Sequence, residues 1–305
     1  MTEELKMKTY DVIIIGGSYA GLAAALALGR LEQHTLIIDD ERPCNRYARE
    51  AHNVLAHDGD IPATLIGTAK SQLATYPTIY YLNDRVQTAT PASEGLIVKT
   101  VRKKAFRTKK LVLATGIVDQ LPETPGFIDC WGKSVLDCPY CHGYAYRKQK
   151  TVVLAEGKEA VRLLSLVRNL TEDITVVAPD HRSFSSAQRN KLKRKGVNII
   201  EKHIESFAHT NGQVSRILFR DQSSIAANVV YATLPFAFPD NLPEQLGCQL
   251  TKQGYIKVNK FQQTTVPHVY ACGDNSNFLR SITSAIYAGH KTGMSINKEL
   301  SILAF

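Results

Sequence analysis

Residues 11 to 40 read DVIIIGGSYAGLAAALALGRLEQHTLIIDD. With the preceding tyrosine, Tyr10 to Ile15 form a β-branched apolar run, the composition of a parallel strand buried on both faces. A small-residue turn, GGSYAG, follows, then LAAALALGRL, built from strong helix formers. TLIIDD supplies a second strand. Strand, turn, helix and strand make a β-α-β unit whose turn follows G-x-G-x-x-G, with Ser18 in the middle glycine position. Gly16 makes the tight turn, Gly21 lets helix and strand pack closely, and the helix N-terminus faces a pyrophosphate. Asp39 lies 18 residues beyond Gly21, at the end of the second strand, where a carboxylate accepts hydrogen bonds from ribose hydroxyls. The unit predicts dinucleotide binding.

Further along, KKLVLATG (Lys109 to Gly116) is another buried strand running into a small-residue turn. Near the C-terminus stands TTVPHVYACGDNS, with a helical pattern beginning around Arg280. A strand ending in Gly273-Asp274 places a carboxylate beside the sugar-like chain of a flavin. The helix after it points its positive end at the reduced ring. The two ends of the chain therefore build one FAD domain, and the middle is inserted. The expected fold is α/β, with two Rossmann-like three-layer nucleotide-binding domains. Residues 1–118 and 232–305 form the first, and 119–231 form the second, inserted into it.

The inserted part holds a second β-α-β, TVVLAEGKEAVRLLSLVRNL followed by ITVVAPDHR. Its turn runs from Ala155 through Gly157 to Ala160, so the first glycine is missing, and Glu156 sits where a pyrophosphate would approach. A carboxylate there repels phosphates. Ala178, Pro179 and Asp180 follow the second strand, where a 2′-phosphate site needs cations. The fold pattern is intact but its chemistry is not that of an NADPH site, so NADPH is not expected as a cofactor.

Residues 134 to 146 read SVLDCPYCHGYAY. Three chemistries use C-x-x-C-H: covalent haem attachment, half of a zinc site, or a dithiol/disulfide centre. Haem attachment needs export, and the polar start MTEELKMKTY leads into an apolar segment too short for a signal sequence. A structural zinc site wants four ligands, yet Cys44, Cys130, Cys248 and Cys272 are scattered singly. No metal is expected, and the redox reading leads. Six cysteines in 305 residues make no disulfide scaffold, and a cytoplasmic location is expected. The four scattered cysteines read as buried free thiols.

No apolar stretch approaches the 18 or more residues of a membrane-spanning helix, so no membrane partner is expected. The formal charge is +9, and the basic residues cluster at Arg102–Lys110 and Arg189–Lys195. These runs read as a solvated hairpin and a solvated helix end, or as a dock for an acidic partner. Neither is interleaved with stacking aromatics, which argues against nucleic acid.

FAD fingerprint, LVLATG, an inserted domain opening with C-x-x-C and a terminal CGD motif together resemble the low-molecular-weight thioredoxin reductases. The resemblance covers essentially the whole chain. It implies FAD, a homodimer, and an inserted domain whose redox cysteines stack on the flavin. It also implies that Cys141 faces the flavin ring while Cys138 exchanges with the partner dithiol. The candidate flavin-binding residues are then Gly16, Ser18, Tyr19, Ala20, Gly21, Asp39, Asn45, Asn53, Val86, Ala114, Thr115, Gly116, Gly273, Asp274, Ser281 and Ile282. Ordinary members follow C-x-x-C with Asp-Gly-Phe and carry a His-Arg-Arg cluster for the 2′-phosphate. This sequence has His142-Gly143-Tyr144 and no such cluster.

CPYCHGY and HNVLAHDG (His52 to Gly59) resemble a side branch that includes dithiol oxidases closing disulfides in gliotoxin- and holomycin-type products. That branch adjoins reductases fed by ferredoxin. An imidazolium at His142 would lower a thiol pKa, and a neutral imidazole would accept the thiol proton. The candidate catalytic residues are Cys138, Cys141 and His142. The expected function is an FAD-dependent dithiol–disulfide oxidoreductase without NADPH, fed by a carrier such as ferredoxin or flavodoxin. Its partner is expected to be a thioredoxin-like protein or a small dithiol. The alternatives are a dithiol oxidase passing electrons to O2 and a non-catalytic redox-sensing flavoprotein.

Overall fold

Alternating side chains along the first strand set the frame. In β1 (Lys8–Ile15), Val12 and Ile14 enter one buried cluster and Tyr10, Ile13 and Ile15 enter another, so the strand is buried on both faces. Residues 7–304 are described in a computed structural model and divide into two compact units. The first holds the chain through Cys44, then Ala63–Val118, then Ala237 onward. The second holds Asn45–Pro62 and Asp119–Phe236.

In the first unit β1 is followed by α1 (Tyr19–Gly29), β2 (Thr35–Asp39), α2 (Pro62–Leu73), β3 (Ile79–Asn83), β4 (Val86–Pro91), β5 (Leu96–Thr100) and β6 (Ala105–Leu113). The strand order is β3-β2-β1-β6-β5-β4. The pairs from β3 to β6 are parallel, and β4, β5 and β6 form an antiparallel meander.

The second unit runs through β7 (Val118–Asp119), α3 (Phe127–Cys130), β8 (Val135–Leu136), α4 (Pro139–His142), β9 (Thr151–Leu154), α5 (Gly157–Val167) and β10 (Ile174–Ala178). It continues with α6 (Ser186–Arg194), β11 (Asn198–Glu201), β12 (Ile204–Thr210), β13 (Gln213–Phe219), β14 (Ser224–Ala226) and β15 (Val229–Ala232). Its sheet, β11-β10-β9-β15-β8, is parallel throughout. Alternation again splits the core. Val153, Val176 and Tyr231 pack with Leu163, Val167 and Leu192 from α5 and α6. Val152, Val177 and Val230 pack with Phe207, Ile217 and Phe219 of the antiparallel β12-β13-β14 sheet. Helices, parallel sheet and antiparallel sheet make three layers.

The chain returns through β16 (Phe236–Ala237), which pairs with β7, and then α7 (Leu242–Gln245), β17 (Val269–Ala271) and α8 (Ile282–Ala304). β17 joins the first sheet beside β6, in the register Ala271↔Leu113. That register, with Ile15↔Ile38 and Ile15↔Leu113, aligns the carboxyl ends of four parallel strands at one edge. Helix α8 lies tight on α1: a Cβ at Gly289 would come within 2.0 Å of the Ala20 carbonyl oxygen, and one at Gly293 within 2.6 Å of that of Ala24. No helix among the described residues is long and apolar enough to cross a membrane.

The compact units differ from the sequence boundaries in two places. The return crossing falls after Phe236 rather than after residue 231, because Leu234 packs into the second unit's core and Gln120 N–H donates to the Pro235 carbonyl at 2.8 Å. Residues Asn45–Pro62 belong to the second unit: Tyr47 lies where a Gly132 side chain would be, and Arg49 donates to the Asn211 carbonyl at 3.4 Å.

Candidate active site

At the β1–α1 turn the backbone leaves no room for side chains. Gly16 has φ of +103°, and a Cβ there would sit 2.3 Å from the Ala114 carbonyl oxygen. A Cβ at Gly21 would meet the Gly16 carbonyl oxygen at 1.9 Å. Gly17, to which the sequence reading gave no role, is equally confined, since its Cβ would lie 2.7 Å from the Tyr81 hydroxyl and 2.9 Å from Asp39. Ser18 is the N-cap of α1, yet its side chain makes no capping bond, which leaves the first-turn amides to another acceptor. Tyr19 and Ala20 begin the helix itself.

Asp39 ends β2 and accepts a hydrogen bond from the Tyr81 hydroxyl. Burial, that hydrogen bond and the Asp39 charge push the Tyr81 phenol far up, so it remains a donor. On the other side of the turn, Ala114, Thr115 and Gly116 follow β6, and Gly116, at φ +64°, has open space where a Cβ would be. Gly273, at φ +87°, precedes Asp274. Ser281 accepts from the Ser284 N–H at 3.1 Å and so caps α8 one residue before Ile282.

Asn275, absent from the sequence reading, is fully buried. It donates to the Leu113 carbonyl at 2.9 Å and to Thr115 at 3.4 Å, while its own Oδ1 has no partner. An orphaned acceptor beside a glycine cradle at the carboxyl ends of parallel strands fits a dinucleotide with a ring N–H to offer. The residues present therefore fit FAD. Val86 starts β4 within the core of the first unit. Asn45 and Asn53 lie in the second unit, where Asn53 takes a left-handed φ of +61° and donates its N–H to Asp58 at 2.6 Å.

Cys138 and Cys141 form a disulfide. Cys138 is the N-cap of α4, Pro139 opens that helix, and the Cys138 Sγ accepts from the Cys141 N–H at 3.1 Å. This turn closes a three-residue spacing with a Cα–Cα distance of 5.3 Å. Both cysteines are half-buried, and Tyr140 and Tyr144 beside them stand exposed. His142 ends α4. Burial pushes its imidazole below the ordinary value; Asp137 and Glu50 work against that, and His52 reinforces it. Its ring meets that of His52 edge-on, with centroids 6.3 Å apart.

The geometry is matched by kinship. Residues 10–290 match the family model of the pyridine nucleotide-disulphide oxidoreductases. The chain belongs to that family. A thioredoxin reductase of Claviceps purpurea, tcpT, is 29% identical over 95% of this chain and 94% of its own. Among solved structures, an oxidoreductase from Agrobacterium tumefaciens is 31% identical with a TM-score of 0.90, covering 97% of this chain and 99% of the other. HlmI is 27% identical, also with a TM-score of 0.90, over 99% of this chain and 94% of its own. The protein is a thioredoxin reductase-like, flavin-dependent disulfide oxidoreductase, an enzyme acting on sulfur groups.

Against the family's name, the second unit's nucleotide turn is unusual. Glu156 is the exposed N-cap of α5 and makes no capping bond, so an acidic residue occupies the helix end where a phosphate would bind. Gly157, with φ +54°, and the buried Ala160 keep the turn and helix packing. After β10, Asp180 caps a short turn through the Arg182 N–H at 2.7 Å and pairs with the Arg182 guanidinium at 3.1 Å. Arg189 pairs with Glu201 at 2.5 Å and donates to the His181 carbonyl. Cations thus do lie near this strand end, more than the sequence reading gave it, but each guanidinium already holds a carboxylate. Of the other cysteines, Cys130, Cys248 and Cys272 are buried, and burial pushes their thiols up, Cys272 to about 12. Cys44 is half-buried, its Sγ 3.5 Å from the Arg280 guanidinium.

Proposed function

We propose that electrons pass between FAD in the first unit and the Cys138–Cys141 pair in the second, and from there to a thiol partner, without NADPH. The observation that carries the second half of this reading is Glu156 at the N-cap of α5. An anionic side chain at the phosphate-binding end of the helix, with Arg182 and Arg189 held by Asp180 and Glu201, disfavours a pyridine nucleotide with a 2′-phosphate. FAD, when bound, supplies a two-electron acceptor and donor. Gly16, Gly17 and Gly21 admit its pyrophosphate, Asp39 accepts from its ribose, and Asn275 offers an acceptor to its ring. Cys138 exchanges with the partner, Cys141 exchanges electrons with the flavin, and His142 takes up or returns the thiol proton.

The donor is an acidic carrier of the ferredoxin or flavodoxin kind, and the partner a thioredoxin-like protein or small dithiol. Support comes from the net charge of +9 and from Arg102, Lys103 and Lys104, exposed on the β5–β6 turn. Exposed Ile286, Tyr287 and Met294 on α8 support a homodimer, and we place the protein in the cytoplasm. A second reading, a dithiol oxidase delivering electrons to O2, is favoured by the half-buried His142, whose imidazole burial holds below its ordinary value: a neutral imidazole accepts protons from thiols being oxidised. Anaerobic titration of the flavin with NADPH, NADH, reduced ferredoxin and dithiothreitol tests the electron donor and the dithiol step. Ferredoxin and the dithiol are expected to reduce it, and rapid reduction by micromolar NADPH would overturn the donor assignment.

A further inference from the structure

The loop Glu50–Asp60 brings a second histidine to the dithiol centre. It is closed on itself: Ala51 N–H donates to the Asp60 carbonyl at 2.8 Å, Gly59 N–H to the Ala51 carbonyl at 2.8 Å, and Asn53 N–H to Asp58 Oδ1 at 2.6 Å. In that closed loop both ring nitrogens of His52 face carboxylates, Nε2 at 3.3 Å from Glu50 and Nδ1 at 3.5 Å from Asp58. The side chain is half-buried, and its ring lies edge-on to that of His142, with centroids 6.3 Å apart. Among the described residues no group of three or more His, Cys, Asp and Glu is arranged to hold a metal.

We propose that His52 is the second member of a proton relay: His142 takes the proton that a thiol gives up, and His52 passes it to solvent by way of Glu50 and Asp58. This rests on reading Cys138–Cys141 as a flavin-linked redox pair. Closing that disulfide releases two electrons and two protons. Both electrons and one proton go to the flavin, and the second proton has to leave a half-buried site. The charged and titratable groups around His142 are Asp137 on its own segment, Glu50, His52 and Asp58 on the loop, and the two cysteines. The Tyr231 phenol lies under Gly143 and is pushed far up by burial, so it takes no part as a base. Asp137 is itself exposed and adjoins His142 on its own segment; from the loop, the Glu50–His52–Asp58 group gives His142 a second way to exposed carboxylates. His52 acts through His142 and is a positioning residue.

The test uses the flavin-loaded protein and His52→Phe, which keeps a ring edge against His142. Anaerobic mixing with dithiothreitol is followed by flavin bleaching across pH. His52→Phe is expected to bleach about tenfold more slowly near neutral pH, short of the loss of a direct base, and in His52→Ala, which leaves room for it, added imidazole should restore the rate. Equal rates would overturn the relay. So would a loss that imidazole leaves unchanged at every pH, which marks a structural role. If the wild-type flavin does not bleach at all, the redox reading has failed instead. The relay is then read without the flavin, by acid-quenched alkylation of the cysteines after dithiothreitol: a slower exchange in His52→Phe upholds it and an equal one rejects it.

Discussion

At the residue scale, the two cysteines are chemically alike but differently placed. Cys138 caps α4 from an extended backbone, while Cys141 lies inside the helix. Cys138→Ser leaves one thiol with no disulfide partner. If Cys141 faces the flavin, its thiolate donates charge to the ring and a broad long-wavelength absorbance is expected. Cys141→Ser should lack that band and trap mixed disulfides through Cys138. A band in Cys141→Ser alone would reverse the roles. Glu156 gives a second prediction at this scale. Ala155→Gly with Glu156→Gly should quicken flavin reduction by NADPH only partly, because Arg182 and Arg189 stay paired with Asp180 and Glu201. Stopped-flow bleaching reads the change, and full recovery would show that the turn at Ala155 and Glu156 alone bars the nucleotide.

At the element scale, α1 and α8 depend on glycine. Gly289→Val would drive a side chain into the Ala20 carbonyl and should cost roughly 2 kcal/mol or more, read from the urea midpoint. Gly67, in the exposed middle of α2 with nothing within 4 Å of its Cβ position, is the control: Gly67→Ala should stabilise by about 0.5–1 kcal/mol. Helix α8 is also pinned by charge. Lys110 on β6 is buried and pairs with Glu299, which accepts from Tyr270 as well. Burial works against ionisation of Glu299, but the Lys110 and Tyr270 hydrogen bonds outweigh it and hold the carboxyl below its ordinary value near 4.5. The stability this contributes is present above pH about 4.5 and is lost as pH falls through the lower folded value. Glu299→Ala should cost about 3 kcal/mol at pH 7, since it leaves the Lys110 ammonium buried without its carboxylate, and the deficit should shrink in acid. A deficit independent of pH would assign the loss to packing.

At the scale of the whole molecule, the sequence disclosed what rests on local pattern. Tyr10–Ile15 announced a doubly buried strand, GGSYAG its turn, and the C-x-x-C spacing its disulfide. Residues that act through distant partners were not legible. Asn275 matters because its side chain reaches Leu113, 162 residues away, although its place directly after CGD was a signal. Gly17 is confined by Tyr81 and Asp39, which come from other strands. The loop Asn45–Pro62 has no hydrophobic period, so although HNVLAHDG stood out by resemblance, no pattern placed His52 beside His142. Arg189 was read only as part of a basic run, because its pairing with Glu201 beside the second unit's nucleotide turn appears only in the fold.

Anaerobic bleaching of the bound flavin by dithiothreitol, in wild type, Cys138→Ser and Cys141→Ser, bears most directly on the enzyme's chemistry. If electrons reach the flavin only through this pair, the wild-type flavin bleaches fully and both variants stay yellow over the same interval. Bleaching at the wild-type rate in either variant would mean that the dithiol reaches the flavin without the Cys138–Cys141 disulfide.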